Sequence, residues 1–276
     1  MAAPFGIATL AEIRSRLELE LSINTGDSYI SSTSELQDIN EAYQATAYSY
    51  DWPTLLTRTA IVKVANLDRY ALPTNFRKAR TVRLDGTKLT EVELEFLQRS
   101  RRAFAIDGTQ FDIIVTPIPT TASTAYTLSN AESAGSAVTI ELSSVSGLTA
   151  LEEIFVDAAS LVDEFTMVSS VDTTNTTITA RLHSAKSASD IIYRAKDVID
   201  LLYYRRVTLL SGSTDTMLLP TALDYIVPLK AAALGFARME MFTESKEKEK
   251  QWRDQMSEAW LASDKFHTGA ATNFRL

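Results

Sequence analysis

Leu10, Ile13, Leu17 and Leu21 recur at spacings of three and four, which predicts an amphipathic helix over residues 8–21. Thr9, followed three residues later by Glu12, has the spacing of a capping box. A loop over 24–32 leads to a second helix, capped by Ser34 or Thr33, whose stripe is Leu36, Ile39, Ala42 or Tyr43, and Ala47. That helix has to stop before Asp51-Trp52-Pro53, because proline disfavours helical backbone in the residue before it. The period then falls to two. Residues 57–64 alternate and are rich in β-branched side chains, 69–72 and 80–84 read as further strands, and Asp85-Gly86 reads as a turn. Thr90 is expected to cap a short helix over 91–99 that buries Leu94 and Leu97. Residues 103–106 and 111–116 flank Asp107-Gly108, a hairpin signal.

No proline occurs between Pro119 and Pro220, and residues 120–194 are dense in Ser, Thr and Val. Short alternating runs at 137–142, 153–157, 164–171, 176–180 and 191–194 predict a small all-β module, with turns at Gly147 and 172–175. An extended run over 198–209 follows and is expected to pair with 111–116 once the module is looped out. Pro220 stands where a helix can begin. Leu223, Val227, Leu234, Ala237, Met241, Lys248, Trp252 and Trp260 lie close to one stripe, with Pro228 marking a kink or a start. The polar run 244–250 either continues that helix as a solvated face or marks a turn capped by Thr243. The predicted fold is α+β: a helical-bundle core with a small antiparallel sheet and an inserted all-β module. The expected domains are a discontinuous core of 1–118 and 195–276, a β-sandwich or β-barrel-like insertion over 119–194, and a flexible C-terminal tail over 267–276.

Charge sharpens this division. The net charge is −8, yet residues 121–180 hold no Lys or Arg and carry Glu132, Glu141, Glu152, Glu153, Asp157, Asp163, Glu164 and Asp172. Those acids account for the whole imbalance, so the module repels a phosphate backbone. The length, 276 residues with 45% hydrophobic content, suits one or two domains with a sizeable core. No uncharged apolar run is long enough to cross a bilayer. Residues 1–11 have no positive charge before their apolar positions, so no secretory signal is expected.

Little in the chain points to chemistry. The absence of cysteine removes disulfides, thiolate catalysis and cysteine metal sites. The two histidines, His183 and His267, have no second ligand at metal spacing. There is no G-x-S-x-G elbow, no Walker A lysine and no dinucleotide fingerprint. Paired carboxylates carry no information where acids are this common. Asn175-Thr176-Thr177 matches a glycosylation acceptor but reads as a turn. No enzyme, no cofactor and no metal are therefore expected.

Two groups of residues leave alternatives open. Arg77, Lys78, Arg80 and Arg83, then Arg99, Arg101 and Arg102, then Arg205 and Arg206, are either solvated faces or docking points for an acidic protein partner or for DNA in a channel. Trp252 and Trp260, eight residues apart, share a helical face that packs either into the chain's own core or on a neighbouring subunit.

One order of short motifs runs through the chain outside the β module. It comprises Asp51-Trp52-Pro53-Thr54-Leu55-Leu56, Tyr70-Ala71-Leu72-Pro73-Thr74-Asn75-Phe76-Arg77-Lys78, the stretch 111–119, Leu202-Tyr203-Tyr204-Arg205 and Leu218-Leu219-Pro220, with helices at both ends. This order resembles the head-to-tail adaptors of tailed bacteriophages, also called head-completion or connector proteins. Residues 138–194 separately resemble β modules of phage structural proteins, in the start Thr-Ile-Glu-Leu-Ser-Ser-Val-Ser-Gly and the close Arg-Leu-His-Ser-Ala.

The resemblance implies a structural virion protein at the head–tail interface, assembled in the host cytoplasm. It would form a ring of about 12 copies below the portal, extend the DNA channel and dock a tail or neck protein. It further implies portal docking by the C-terminal residues His267, Asn273, Phe274, Arg275 and Leu276. Trp252, Trp260, Arg99, Arg101 and Arg102 are the expected subunit-interface residues. The competing expectation is another non-enzymatic neck, minor tail or receptor-facing virion protein that attaches through its β module.

Overall fold

Helix α1 (Leu10–Leu21) begins at the predicted capping box: the Thr9 N–H donates to Glu12 Oε2 at 2.7 Å, and the Glu12 N–H to Thr9 Oγ1 at 3.3 Å. Its four stripe residues, Leu10, Ile13, Leu17 and Leu21, are all buried. Helix α2 (Ser32–Ser49) starts slightly earlier than expected, because Ser31 is the cap and accepts from the Ser34 N–H. The structure is a computed structural model and describes residues 8–21, 31–158 and 163–272, without the side chains of residues 222 and 262–272.

The chain divides into two units: Met1–Leu56 with Arg205–Leu276, and Thr57–Tyr204. The first contains α1, α2, α3 (Ile226–Arg238) and α4 (Phe242–Thr272). Pro228 is the third residue of α3, inside the first turn, where its missing N–H has no helical acceptor to lose. Glu240, with φ of 60°, breaks the expected long stripe into two helices. Ser245 Oγ of α4 donates to the Ala233 carbonyl of α3. The polar run 244–250 lies within α4, and that helix continues through residues 267–272.

The second unit is built from strands. Two four-stranded sheets share one apolar cluster. The first is ordered β1 (Leu56–Val62), β14 (Val198–Arg205), β3 (Phe76–Leu84) and β4 (Thr87–Lys88). The second is ordered β2 (Arg69–Ala71), β7 (Asp112–Thr116), β6 (Ala103–Asp107) and β5 (Thr90–Glu91). Val82 and Leu84 from one sheet meet Phe104, Ile113 and Val115 from the other, together with Ile199, Leu201 and Tyr203 of β14. The alternate residues Ala103, Ala105 and Ile114 face a separate cluster with Leu97, so this sheet is covered on both faces.

The third sheet has six strands, ordered β8 (Ala125–Thr127), β13 (Ile191–Arg194), β10 (Glu153–Asp157), β11 (Glu164–Asp172), β12 (Thr177–Leu182) and β9 (Gly135–Glu141). It curls into a half-barrel. Its two outer strands approach where Ser129 N donates to Glu141 O and Ser143 N to Thr127 O, both at 2.9 Å. Ile140, Ile154, Val156, Val168, Ile178 and Ile192 fill the concave side. Phe155 points the other way, into a cluster with Tyr193 and Val198 that also takes Ala60 and Val62 of β1.

Several expectations are overturned. The fold is not a helical-bundle core with a small antiparallel sheet. Among the described residues it is mostly β, with fourteen strands in three sheets and four α-helices. The physical reason is that residues 57–116 and 198–205 close a two-sheet core of their own instead of lining a bundle. The run at 198 does not pair with 111–116; β14 lies between β1 and β3, while β7 lies between β2 and β6. Residues 91–99 are not an α-helix. Thr90 and Glu91 pair with β6, and a 3-10 turn covers Leu94–Arg99. The six strands of the third sheet lie within the expected insertion over 119–194, and the two compact units divide outside it, at Leu56 and Arg205.

Candidate interaction surfaces

Helix α4 places its tryptophans against its own unit. Trp252 is buried, and its Nε1 donates to Thr46 Oγ1 at 3.1 Å, while Lys230 Nζ sits 4.9 Å from the ring centroid. Trp260 is half-buried, stacked on Tyr50 with centroids 4.8 Å apart, and meets Trp52 edge-on at 5.7 Å. Trp52 Nε1 in turn donates to the Thr46 carbonyl. The same unit clamps the segment after β14: Asn40 exchanges two hydrogen bonds with the Leu210 backbone, and Tyr43 OH accepts from Leu218 N at 2.7 Å. Burial pushes the Tyr43 hydroxyl up to about 12, so it remains a neutral partner. Of the C-terminal docking residues, His267 lies in α4, whereas Asn273, Phe274, Arg275 and Leu276 lie outside the described residues.

Arg99, Arg101 and Arg102 follow a different course. The 3-10 turn is anchored by buried Leu97 and closed by Ser100, whose Oγ donates to the Phe96 carbonyl at 3.1 Å. A three-residue turn brings residues three apart into one row, so Phe96 and Arg99 share a side. Leu94 and Phe96 are 48% and 47% exposed. All three arginines are exposed, and none makes an ion pair among the described residues. The segment therefore presents apolar side chains beside uncommitted guanidinium groups.

An open cleft of about 390 Å³ lies within the second unit, lined by Arg58, Arg83, Thr149, Glu152, Lys196 and Asp200 among others. Arg58 holds it together. Its guanidinium bonds both Glu153 oxygens at 2.6 and 2.8 Å and both Asp200 oxygens at 2.8 and 2.9 Å, and lies 3.8 Å from the Phe165 ring centroid. The Glu153 bonds foremost, offset in part by burial, raise the pKa of this guanidinium further. Arg83 also reaches Asp200, and Lys196 pairs with Glu152 at 2.6 Å. The cleft's acidic and basic side chains thus pair with one another. Among the described residues no group of His, Asp and Glu is arranged to hold a metal ion.

Sequence patterns singled out the arginine triplet and the tryptophans but missed Arg58, Glu153 and Asp200. Asp200 interrupts the apolar run of β14, which signals a need for a cation. Its partner is 142 residues away, too far for any spacing rule to find. The arrangement offers contact surfaces, a half-barrel with an acidic outer side and a helical unit locked by aromatics.

Comparison with known proteins agrees with a structural role. No curated protein sequence matches the chain. The family model described as SU10 adaptor protein matches residues 8–272, nearly the whole chain and both of its units. The chain belongs to the SU10 adaptor protein family, a family of phage structural adaptors and hence of virion components.

Proposed function

We propose that this protein forms a closed head-to-tail ring of about 12 copies between the portal and the tail or neck of a tailed phage. In this reading it extends the DNA channel, has no catalytic turnover and offers its far face to the next tail component. The observation that carries the reading is the extent of the family match, residues 8–272, which takes in the half-barrel as well as the helices. Residues 267–276 dock into the portal, with Phe274 and Leu276 as apolar anchors. Arg99, Arg101 and Arg102 face a neighbouring subunit, an assignment favoured by their exposure. Trp252 serves its own unit's core, and Trp260 lies at the edge of that core beside exposed Leu261.

The test is the mass of the purified chain by light scattering, with and without a candidate portal. Binding in ring-sized stoichiometry is the expected result. Deleting residues 267–276 should abolish that binding while the fold remains. A monomer indifferent to the portal would overturn the ring and point to a neck or tail accessory protein.

A further inference from the structure

The acidic half-barrel has an outer face whose composition complements the arginine turn. Along β9, β12 and β11, Glu141 is paired with Thr177, and Thr177 with Asp172. Paired positions project to the same side of a sheet. The neighbouring row, Ile140, Ile178 and Val171, belongs to the apolar cluster, so Glu141, Thr177 and Asp172 face outward. Two residues along, Thr139, Thr179 and Ser170 continue that face with hydroxyls, and Arg181 stands at its far end. Glu141 and Asp172 are exposed, and their hydrogen bonds come from Asn130, Thr174 and Asn175, with no cation among the described residues.

We propose that Leu94, Phe96, Arg99, Arg101 and Arg102 of one copy dock on the outer face of the half-barrel of a second copy, at Glu141 and Asp172. The inference rests on the ring reading and supplies its two complementary surfaces. A head-to-tail ring needs two different patches on each subunit, and these are different and exposed, with guanidinium groups at 99, 101 and 102 to set against the carboxylates at 141 and 172. Arginine and aromatic side chains are the residues enriched at protein interfaces. The contact between arginines and carboxylates is charge-assisted and weakens with salt.

The experiment uses the full chain alone, at low and then high salt, with mass followed by light scattering across a range of concentrations. One variant carries Arg99→Glu, Arg101→Glu and Arg102→Glu. The other carries Glu141→Lys and Asp172→Asn, the asparagine keeping an oxygen for the Thr174 and Asn175 N–H groups. Each variant alone should self-associate more than about tenfold more weakly than the wild type. Mixed together they should recover association, because the reversed turn of one meets the reversed face of the other. Circular dichroism checks that each stays folded.

Association unchanged in both variants, with the wild type forming rings, overturns this contact but leaves the ring standing. A wild type that never associates, alone or with a portal, overturns both. Retention of the wild type on a duplex DNA probe, lost in the arginine variant and indifferent to Glu141→Lys, would assign the turn to DNA and overturn the protein contact.

Discussion

Each unit of this chain closes in its own way, one from two distant segments and the other from a single one. The helical unit is made of two segments far apart in sequence, joined by aromatic stacking, hydrogen bonds and ion pairs: Trp260 on Tyr50, Trp252 to Thr46, Asn40 to the Leu210 backbone, Arg238 to buried Asp38 and Lys248 to Glu20. The β unit is one uninterrupted stretch, and its strands are tied together by ion pairs made within that stretch. Arg58 is clamped by Glu153 and Asp200, Lys63 by Asp85, and Lys186, fully buried, by Glu164 at 3.1 Å. The contrast follows from connectivity. The β unit closes its core from within one segment, whereas the helical unit waits for both chain ends. The chain enters the β unit on β1 and leaves on β14, and these strands are neighbours in one sheet. Folding of the β unit therefore shortens the loop that the helical unit must close.

Damage to one unit, followed in both, tests whether each closes by itself. All three tryptophans, Trp52, Trp252 and Trp260, belong to the helical unit, so their fluorescence reports on it alone. Hydrogen exchange of peptides from β10 to β13 reports on the other unit. Trp252→Ala should cost about 4 kcal/mol in the fluorescence-detected transition, through lost burial and the cavity left behind. It should leave protection of the half-barrel close to wild type. Coincident loss of both signals would show one cooperative body.

Arg58→Met tests the opposite direction. It leaves Asp200, with an 8% exposed side chain, without its main cation, and should cost about 3 kcal/mol, seen as lost protection in β1, β10 and β14. A change under about 0.5 kcal/mol would mean that Arg83 alone satisfies Asp200. Trp252→Phe is the milder counterpart. It keeps most of the buried area and loses the bond to Thr46, for about 1 kcal/mol by denaturant titration.

Some of this was legible in the sequence, and the pattern of success is physical. Local rules worked locally: the Thr9–Glu12 box starts α1, and Asp85-Gly86, both with positive φ, turns β3 into β4. Spacing failed where one period fits two structures. Leu94 and Leu97 are three apart, which suits an α-helix or a 3-10 turn, and only Leu97 is buried. Asp107-Gly108 does mark a hairpin, but Asp107 accepts from Thr109 and Gln110, and the reversal runs on to Phe111, with φ of 61°. Long-range order was out of reach, since periodicity does not show that β14 inserts between β1 and β3. The exposed arginines were readable as a charged cluster. The acidic row opposite them in character needed the β9–β12–β11 register, which only folding supplies.

The smallest effect expected is also the most specific to that hairpin. The Asp107 carboxyl is held down to about 2, from 3.8, first by the Thr109 hydroxyl, then by Arg69, with the Thr109 and Gln110 N–H groups assisting. The folded state thus favours ionised Asp107. Its contribution is present above pH 3.8 and is lost as the pH falls through about 2. Asp107→Asn should flatten the acid limb of β6–β7 stability in that window and leave neutral pH behaviour close to wild type. Because the hydroxyl bond is the larger cause, Thr109→Val should flatten the limb more than Arg69→Met. Equal acid profiles for wild type and Asp107→Asn, followed by NMR of the hairpin amides, would show that this loop's bonds do not couple to folding. The reverse order of the two partner variants would make the Arg69 pairing, 2.8 Å from Asp107, the dominant contact.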